Sequence, residues 1–435
     1  MQAVIMAGGK GTRLATLTQN IPKPMVPING RPLLEYQVEN LKQNGVDSII
    51  FIVGHLGEVI QNHFGDGHHF GINISYYNEE TPLGTAGALP KIANRLADTF
   101  FLVFGDLFFN VNFRRFLCFH QEHNSAITLY SHPNSHPYDS DIIIIDQDSC
   151  VTGWSYKKDV RTFDYRNLVN AGLYVMQKEI VKEIASIQEQ KNNDFVDLEK
   201  ELIIPQLHNS NIYAYNSTEY VKDIGTPDRL LKVTKDYENG ICEKRNLRHK
   251  QKCIFLDRDG TINKFVGFLR KKDQLVLEPN AAEAIRMINE SEYLAIVISN
   301  QPVVARGETT FDELEQIHNR LHTLLGKEGA YLDGLYFCPH HPDKGFDGEV
   351  KELKIECSCR KPNIGMLKRA EKDYNIDLTN SWFIGDTSID VQTGLNSGMH
   401  TIMLRSGDPN KNKYNVNPDY HAEDLLDGVK FILNN

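Results

Sequence analysis

Three groups of residues in this 435-residue sequence have types and spacings that do chemistry. Residues 254–263 read Ile-Phe-Leu-Asp-Arg-Asp-Gly-Thr-Ile-Asn, so an apolar run ends in Asp257-x-Asp259-Gly-Thr. Side chains alternate in direction along extended backbone. One carboxylate can then attack phosphorus while the other handles the leaving-group proton. The glycine permits the sharp turn that follows. The second group is Met-Ala-Gly-Gly-Lys-Gly-Thr-Arg-Leu at 6–14. Backbone N–H groups of a glycine-rich turn, here Gly8, Gly9, Gly11 and Thr12, can close around phosphate oxygens. The loop is neither a Walker loop nor G-x-G-x-x-G, since Leu14 stands where the last glycine would fall. Downstream, Pro22 and Pro24 hold Lys23 on extended backbone, as a clamp for phosphate. Asp106 and Asp223 follow strand-like runs, where ligands bind in open α/β sheets. Together they suit Mg²⁺ bound to a triphosphate. The third group is Cys338-Pro-His340 with Cys357-Ser-Cys359. Four such ligands fit tetrahedral Zn²⁺ in a closed, structural site. His341 is the alternative to His340, and Asp343 and Asp347 are poorer ligands.

These groups need strands and turns to hold them. Both parts of the chain alternate strand-like with helix-like segments, which favours parallel sheets with helical crossovers. In the first part, 3–6 and 48–53 read as strands, and 33–44 and 56–64 as helices. In the second, 253–256 and 293–299 read as strands, and 281–289 and 311–325 as helices. No internal repeat or low-complexity segment is present.

The net charge is −10, with 41% hydrophobic and 24% charged residues. That is an ordinary globular composition, and it disfavours a nucleic-acid binder. Residues 1–240 and 253–435 each carry −7, whereas 241–252 carries +4. We therefore read two domains, 1–240 and 253–435, joined by a basic linker at 241–252. The apolar runs are far shorter than the roughly 18 residues a membrane helix needs, and Met1 leads straight into a strand. The expectation is a cytoplasmic protein with no membrane or nucleic-acid partner. Seven cysteines, an odd number, argue against a disulfide framework.

The motifs Gly-Gly-Lys-Gly-Thr-Arg-Leu, Pro-Lys-Pro-Met-x-Pro, Leu-Gly-Thr-Ala-Gly (83–87), Phe-Gly-Asp (104–106), Asn-Ala-Gly-Leu-Tyr (170–174) and Lys-Asp-Ile-Gly-Thr-Pro (222–227) occur in that order. Residues 1–238 thereby resemble the sugar-1-phosphate nucleotidyltransferases. The resemblance implies that a sugar phosphate oxygen attacks the α-phosphorus of a nucleoside triphosphate and pyrophosphate leaves, by positioning and charge neutralisation. It puts Arg13 on the leaving pyrophosphate and Lys23 on the reacting phosphates, and makes Asp106 and Asp223 the Mg²⁺ ligands. Leu83, Gly84 and Thr85 would line the base and ribose, and Asn170 and Gly172 the sugar. One departure is that 153–158 carries Lys157 and Lys158 but not the Glu-Lys pair often found there.

In the second part, the D-x-D-G-T strand, Ser299-Asn300-Gln301, Arg360-Lys361-Pro362 and Gly385-Asp386 resemble the haloacid dehalogenase superfamily. This implies that Asp257 is the nucleophile and Asp259 the acid and then base. Ser299, Asn300, Arg360 and Lys361 would stabilise the transferring phosphoryl group, and Asp257, Asp259 (by its carbonyl) and Asp386 would hold Mg²⁺. Cys-Pro-His-His-Pro with Cys-x-Cys-Arg-Lys-Pro, Ser-Asn-Gln and Ala-Arg-Gly (305–307) is similar to the heptose 1,7-bisphosphate phosphatases, with structural Zn²⁺ on Cys338, His340, Cys357 and Cys359. Histidinol-phosphate phosphatases share the clip. Pro302-Val303 and Pro279-Asn280 depart from the Ser-Gly and Pro-Gly common there.

The expected fold is α/β in two domains. The first is a Rossmann-like nucleotidyltransferase mixed sheet, and the second a haloacid-dehalogenase-type parallel sheet with a zinc loop. The two resemblances meet in one sequence of reactions. A heptose bisphosphate loses its 7-phosphate, and the 1-phosphate left behind accepts a nucleotidyl group, GMP from GTP, on the way to a surface glycan such as lipopolysaccharide or capsule. The alternative is a mannose- or glucose-1-phosphate nucleotidyltransferase fused to a histidinol-phosphatase-like enzyme. Partners are sugar phosphates and a nucleoside triphosphate, with a homo-oligomer left open.

Overall fold

The computed structural model describes residues 1–9, 20–209, 211–405 and 413–435. Contacts divide the chain into two compact units. One comprises Met1–Ser131, Ile143–Ser155 and Asn170–Asn246, the other His132–Ile142, Tyr156–Val169 and Leu247–Asn435. Among the described residues no helix is long and apolar enough to cross a membrane.

The first unit is built on a nine-stranded mixed sheet. Gln2–Met6 lies at its centre, parallel to Ser48–Val53 on one side and to Thr99–Phe104 on the other. Asn73–Asn78 extends the parallel part beyond Ser48–Val53. Val169–Gln177 pairs antiparallel with Thr99–Phe104, which makes the sheet mixed, as expected. The strand runs are apolar throughout because both faces are covered. Ala3, Ile5, Phe101, Val103, Leu173 and Val175 pack into one core, while Val4, Leu102 and Tyr174 between them are equally buried. A separate two-stranded ribbon pairs Leu107–Asn110 with Tyr220–Asp223. It brings the Asp106 and Asp223 ends of the chain side by side.

The second unit has a six-stranded parallel sheet in the order Gly334–Cys338, Tyr293–Asn300, Lys252–Leu256, Trp382–Gly385, His400–Leu404, Tyr420–Ala422. Side-chain alternation splits each strand between two cores. Ile254, Leu256, Ala295, Val297 and Ile384 face one, and Cys253, Phe255, Leu294, Ile296 and Phe383 the other. Chain order reverses between Tyr293–Asn300 and Trp382–Gly385, on either side of Lys252–Leu256, which is the switch point where such sheets bind ligands. Asp257, Ser299 and Asp386 sit at the C-terminal ends of these three strands. The last strand and helix Leu425–Asn434 complete this sheet.

Two stretches from the first 240 residues are built into this unit. The Tyr165 N–H donates to Thr323 Oγ1 at 3.0 Å, and Asp164 pairs with Arg320 and Lys272 at 3.3 and 3.2 Å. The basic stretch 241–252 is packed rather than extended. Helix Ile241–Lys244 buries Cys242, Leu247 joins a core and Lys252 opens a strand.

Candidate active sites

The first unit holds a cavity of about 420 Å³ lined by Gly8, Gly9, Lys23, Gly84, Thr85 and Asp106, together with Met6, Pro24, Glu79, Pro82, Phe104, Phe195 and Gly225. Six of the residues expected from sequence therefore share one wall system. Gly11, Thr12 and Arg13 lie outside the described residues. Lys23 donates from Nζ to Asp106 Oδ2 at 2.5 Å. Asp223 is gripped by Arg229 Nη1 at 2.8 and 2.6 Å and by the Gly225 N–H at 2.9 Å. Burial pulls its carboxyl up, but Arg229, Gly225 and Lys23 outweigh it and hold Asp223 below the usual aspartate range. Each expected carboxylate thus lies against a cation, Asp223 against Arg229 and Asp106 against Lys23.

Leu83 is buried and works through its backbone. Its carbonyl accepts from Val196 N at 3.0 Å, which docks the 195–198 segment beside Gly84 and Thr85. Thr85 Oγ1 accepts from Leu198 N at 2.7 Å. Asn170 Nδ2 donates to Glu199 at 2.6 Å and to the Tyr174 hydroxyl at 2.8 Å. Gly172, at φ +77°, lies against the Phe104 ring, where a side chain would collide. Neither is among the residues lining the cavity; Gly172 backs the wall at Phe104. Glu79 and Phe195 are lining residues that sequence reasoning missed. Burial raises the Glu79 carboxyl, and its Oε1 has no hydrogen-bond partner among the described residues.

In the second unit, Lys361 is buried between two carboxylates. Its Nζ donates to Asp257 Oδ1 at 2.7 Å and to Asp390 Oδ1 at 2.6 Å. Carboxylate oxygens of Asp257, Asp386 and Asp390 lie within 4.8 Å of one another. Burial pushes Asp257 up, Lys361 opposes it, and Asp390 and Asp259 reinforce it, leaving Asp257 at about 6. Asp390 was missed by sequence reasoning. Its signal was present, four residues after Asp386 at the start of helix Ser388–Asn396.

Asp259 faces a different set. Arg258 Nη2, Asn263 Nδ2 and Gln301 Nε2 donate to it at 2.7, 2.9 and 2.8 Å. Burial favours its neutral form, but Arg258 and these donors outweigh burial and keep Asp259 below the ordinary range. Gln301 also donates to Ser299 Oγ at 2.8 Å, tying two site residues together. Gly260 is needed at φ +87°, because a side chain there would run into the Asp386 carboxylate.

Cys338, His340, Cys357 and Cys359 bring their ligand atoms within 4.8 Å of one another. The Cys338 and Cys359 sulfurs are 3.1 Å apart, and His340 Nδ1 is 3.2 Å from Cys359 Sγ. His341 turns elsewhere. Its Nδ1 accepts from Asp343 N at 3.2 Å, and its Nε2 lies 3.5 Å from Arg306.

A nucleotidyl transferase family model matches residues 2–240, more than half of the chain. A HAD-hydrolase-like model matches residues 358–428. The D-glycero-D-manno-heptose-1,7-bisphosphate 7-phosphatase of Thermosynechococcus vestitus is 35% identical over 187 residues, 41% of this chain and 94% of that protein. The chain belongs to both families. It is an enzyme with a nucleotidyl transferase part and a HAD-like phosphatase part. On the nucleotidyl transferase side, the D-glycero-alpha-D-manno-heptose 1-phosphate guanylyltransferase of Aneurinibacillus thermoaerophilus is 31% identical over 242 residues, 55% of this chain and all of that protein. The mannose-1-phosphate guanylyltransferase of Mycobacterium tuberculosis is 30% identical over 251 residues, 57% of this chain and 67% of that protein.

Proposed function

We propose that this HAD-like phosphatase and nucleotidyl transferase acts on one sugar in succession. It removes the 7-phosphate of a D-glycero-D-manno-heptose 1,7-bisphosphate, then transfers GMP from GTP to the heptose 1-phosphate, giving GDP-heptose and pyrophosphate. The observation that carries this reading is the pairing within one chain. The relative of one part releases the phosphate that the relative of the other part does not use. Such a product would feed a surface glycan, lipopolysaccharide or capsule, and the enzyme would work in the cytoplasm, where nucleoside triphosphates are.

In the phosphatase step Asp257 attacks the 7-phosphorus, and the sugar oxygen leaves with a proton from Asp259. An aspartyl-phosphate on Asp257 results. Asp259 then takes a proton from water, which attacks phosphorus and frees inorganic phosphate and Asp257. The Arg258, Asn263 and Gln301 donors favour the ionised Asp259 that this second half needs. Lys361, already bridging Asp257 and Asp390, offsets the negative charge. The Asp257, Asp386 and Asp390 oxygens are a hard donor set fit for Mg²⁺. When bound there it would supply further charge neutralisation at the phosphoryl oxygens. The four-ligand cluster at Cys338, His340, Cys357 and Cys359 has the donor chemistry of a structural Zn²⁺ site.

In the transfer step the sugar phosphate oxygen attacks the α-phosphorus of GTP and pyrophosphate leaves. Gly8 and Gly9 line the cavity beside Lys23, placing backbone N–H groups and a cation where the phosphates would lie. Asp106 and Asp223 would hold Mg²⁺ on the triphosphate. Incubation with the bisphosphate, GTP or ATP, and Mg²⁺, with products read by mass, tests the whole sequence. GDP-heptose with released phosphate is the expected result. A second reading, mannose 1-phosphate as acceptor, is favoured by the M. tuberculosis relative. If heptose 1-phosphate is not the best acceptor among the sugar phosphates offered, the heptose assignment falls.

A further inference from the structure

Gln301 is buried directly after the strand Tyr293–Asn300, and its amide meets three residues around the phosphoryl-transfer centre. Nε2 donates to Asp259 Oδ2 and to Ser299 Oγ, both at 2.8 Å. Oε1 accepts from Arg258 Nη2 at 2.9 Å. A primary amide has two N–H donors and one carbonyl. Both donors and the carbonyl of Gln301 are therefore committed to this one place. Its main chain is fixed as well. The Gln301 N–H donates to the Cys338 carbonyl at 2.8 Å, at the end of the adjacent strand Gly334–Cys338.

Three side chains donate to the Asp259 carboxylate, but two of them belong to its own loop. Arg258 precedes it and Asn263 follows four residues later, so their bonds of 2.7 and 2.9 Å move with the loop. Gln301 comes instead from the end of the strand that pairs with Lys252–Leu256. Among the described residues, its bond is the one that ties the Asp259 side chain to the strand carrying Ser299. The same amide nitrogen reaches the Ser299 hydroxyl. A hydroxyl that accepts there keeps its own proton to donate to a phosphoryl oxygen. One buried side chain thus sets both the carboxylate that moves the proton and the hydroxyl that faces the phosphate.

We infer that Gln301 is a positioning residue, which holds Asp259 in register with Ser299 so that water is activated where the phosphoryl group sits. The role rests on the reading of Asp257 as the nucleophile and Asp259 as the acid and base. In the step it serves, Asp259 takes one proton of a water whose oxygen bonds to phosphorus. The Asp257 oxygen–phosphorus bond breaks, inorganic phosphate leaves, and Asp257 regains its carboxylate. The proton on Asp259 is the one given to the next sugar oxygen. A carboxylate misplaced by about 1 Å loses much of this assistance.

The test is rapid-mixing kinetics of the full-length enzyme with Mg²⁺ on p-nitrophenyl phosphate, beside steady-state kinetics on heptose 1,7-bisphosphate. Nitrophenolate leaves without needing a proton, so its release reports the first step and leaves the second exposed as the slow one. Gln301→Met removes both donors with little change in length. Its kcat on the bisphosphate should fall on the order of 10²-fold, the scale of general acid–base assistance, with KM changed far less. On the aryl ester it should show a burst approaching one nitrophenolate per chain and then a slow steady rate. Gln301→Glu keeps the size and the acceptor for Arg258 but not the donors, and should show the same burst. The burst counts competent sites, so a folding defect cannot produce it. A kcat close to that of the unaltered enzyme in both variants overturns the role, and so does an equal fall without a burst. Failure of the wider reading has its own signature: Asp257→Asn releases phosphate at the original rate, whatever the Gln301 variants do.

Discussion

Asn300 and Lys361 clasp each other through side chain and backbone. The Asn300 Nδ2 donates to the Lys361 carbonyl at 3.2 Å, and the Lys361 N–H donates to Asn300 Oδ1 at 3.0 Å. Asn300 thus sets the main chain from which the Lys361 ammonium reaches Asp257. Asn300→Ala should lower phosphatase kcat on the order of 10²-fold, as small misplacements of a charged group do, with KM little changed. Unchanged kcat would mean that Asp257 and Asp390 alone aim the lysine.

Asp257→Asn removes the proposed nucleophile. Phosphate release should fall by roughly 10³-fold or more. Nucleotidyl transfer, followed as pyrophosphate release from GTP and a sugar 1-phosphate, should persist, because among the described residues none that lines that cavity comes from the phosphatase sheet. Loss of both activities would show that the two chemistries are coupled.

Lys23→Ala is the converse experiment. It deletes the cation 2.5 Å from Asp106, and transfer should drop about 10²- to 10³-fold, the scale of one lost electrostatic stabiliser. Phosphatase activity on the bisphosphate should survive. A variant that still transfers GMP at the original rate would remove Lys23 from the reaction.

The thiol–imidazole cluster should carry about one zinc per chain by elemental analysis. Cys357→Ser should lower both zinc content and the melting temperature of the phosphatase unit. A zinc-free protein with full phosphatase activity would refute the structural role of the site.

Asp236 anchors the helix Pro227–Glu238 in the first unit. It accepts from Tyr220 Oη and Lys232 Nζ at 2.7 and 2.6 Å and lies 3.4 Å from Lys222. Burial works against its charge, but Lys222, Lys232 and Tyr220 prevail and hold its carboxyl below the aspartate range. Its folded pKa is depressed, so its stabilisation is complete above the ordinary aspartate value near ~4 and is lost as pH falls through the lower folded value. Asp236→Asn should therefore cost about 1–3 kcal/mol near neutral pH. The gap should close in acid, measured as the difference in melting temperature. A gap independent of pH would mean that shape, not charge, matters at this position.

The sequence by itself determined the parts of this protein that depend on neighbours along the chain. An apolar strand followed by Asp257-x-Asp259-Gly, a glycine loop after the first strand, and two tight ligand pairs around Cys338 and Cys357 are local patterns. Backbone geometry turns each of them into local structure wherever it sits. The two α/β sheets were legible for the same reason, since strand and helix periods are local. Tertiary structure decided what needs chain segments far apart to meet. It chose His340 over His341 to face the thiols, brought Asp390 to Lys361 and lined the first cavity with Glu79 and Phe195. It closed Arg258 and Gln301 around Asp259. It also built residues 132–142 and 156–169 into the second unit. Each of these outcomes depends on which surfaces pack together. Packing is set by the summed burial and pairing of many side chains, so no single motif announces it.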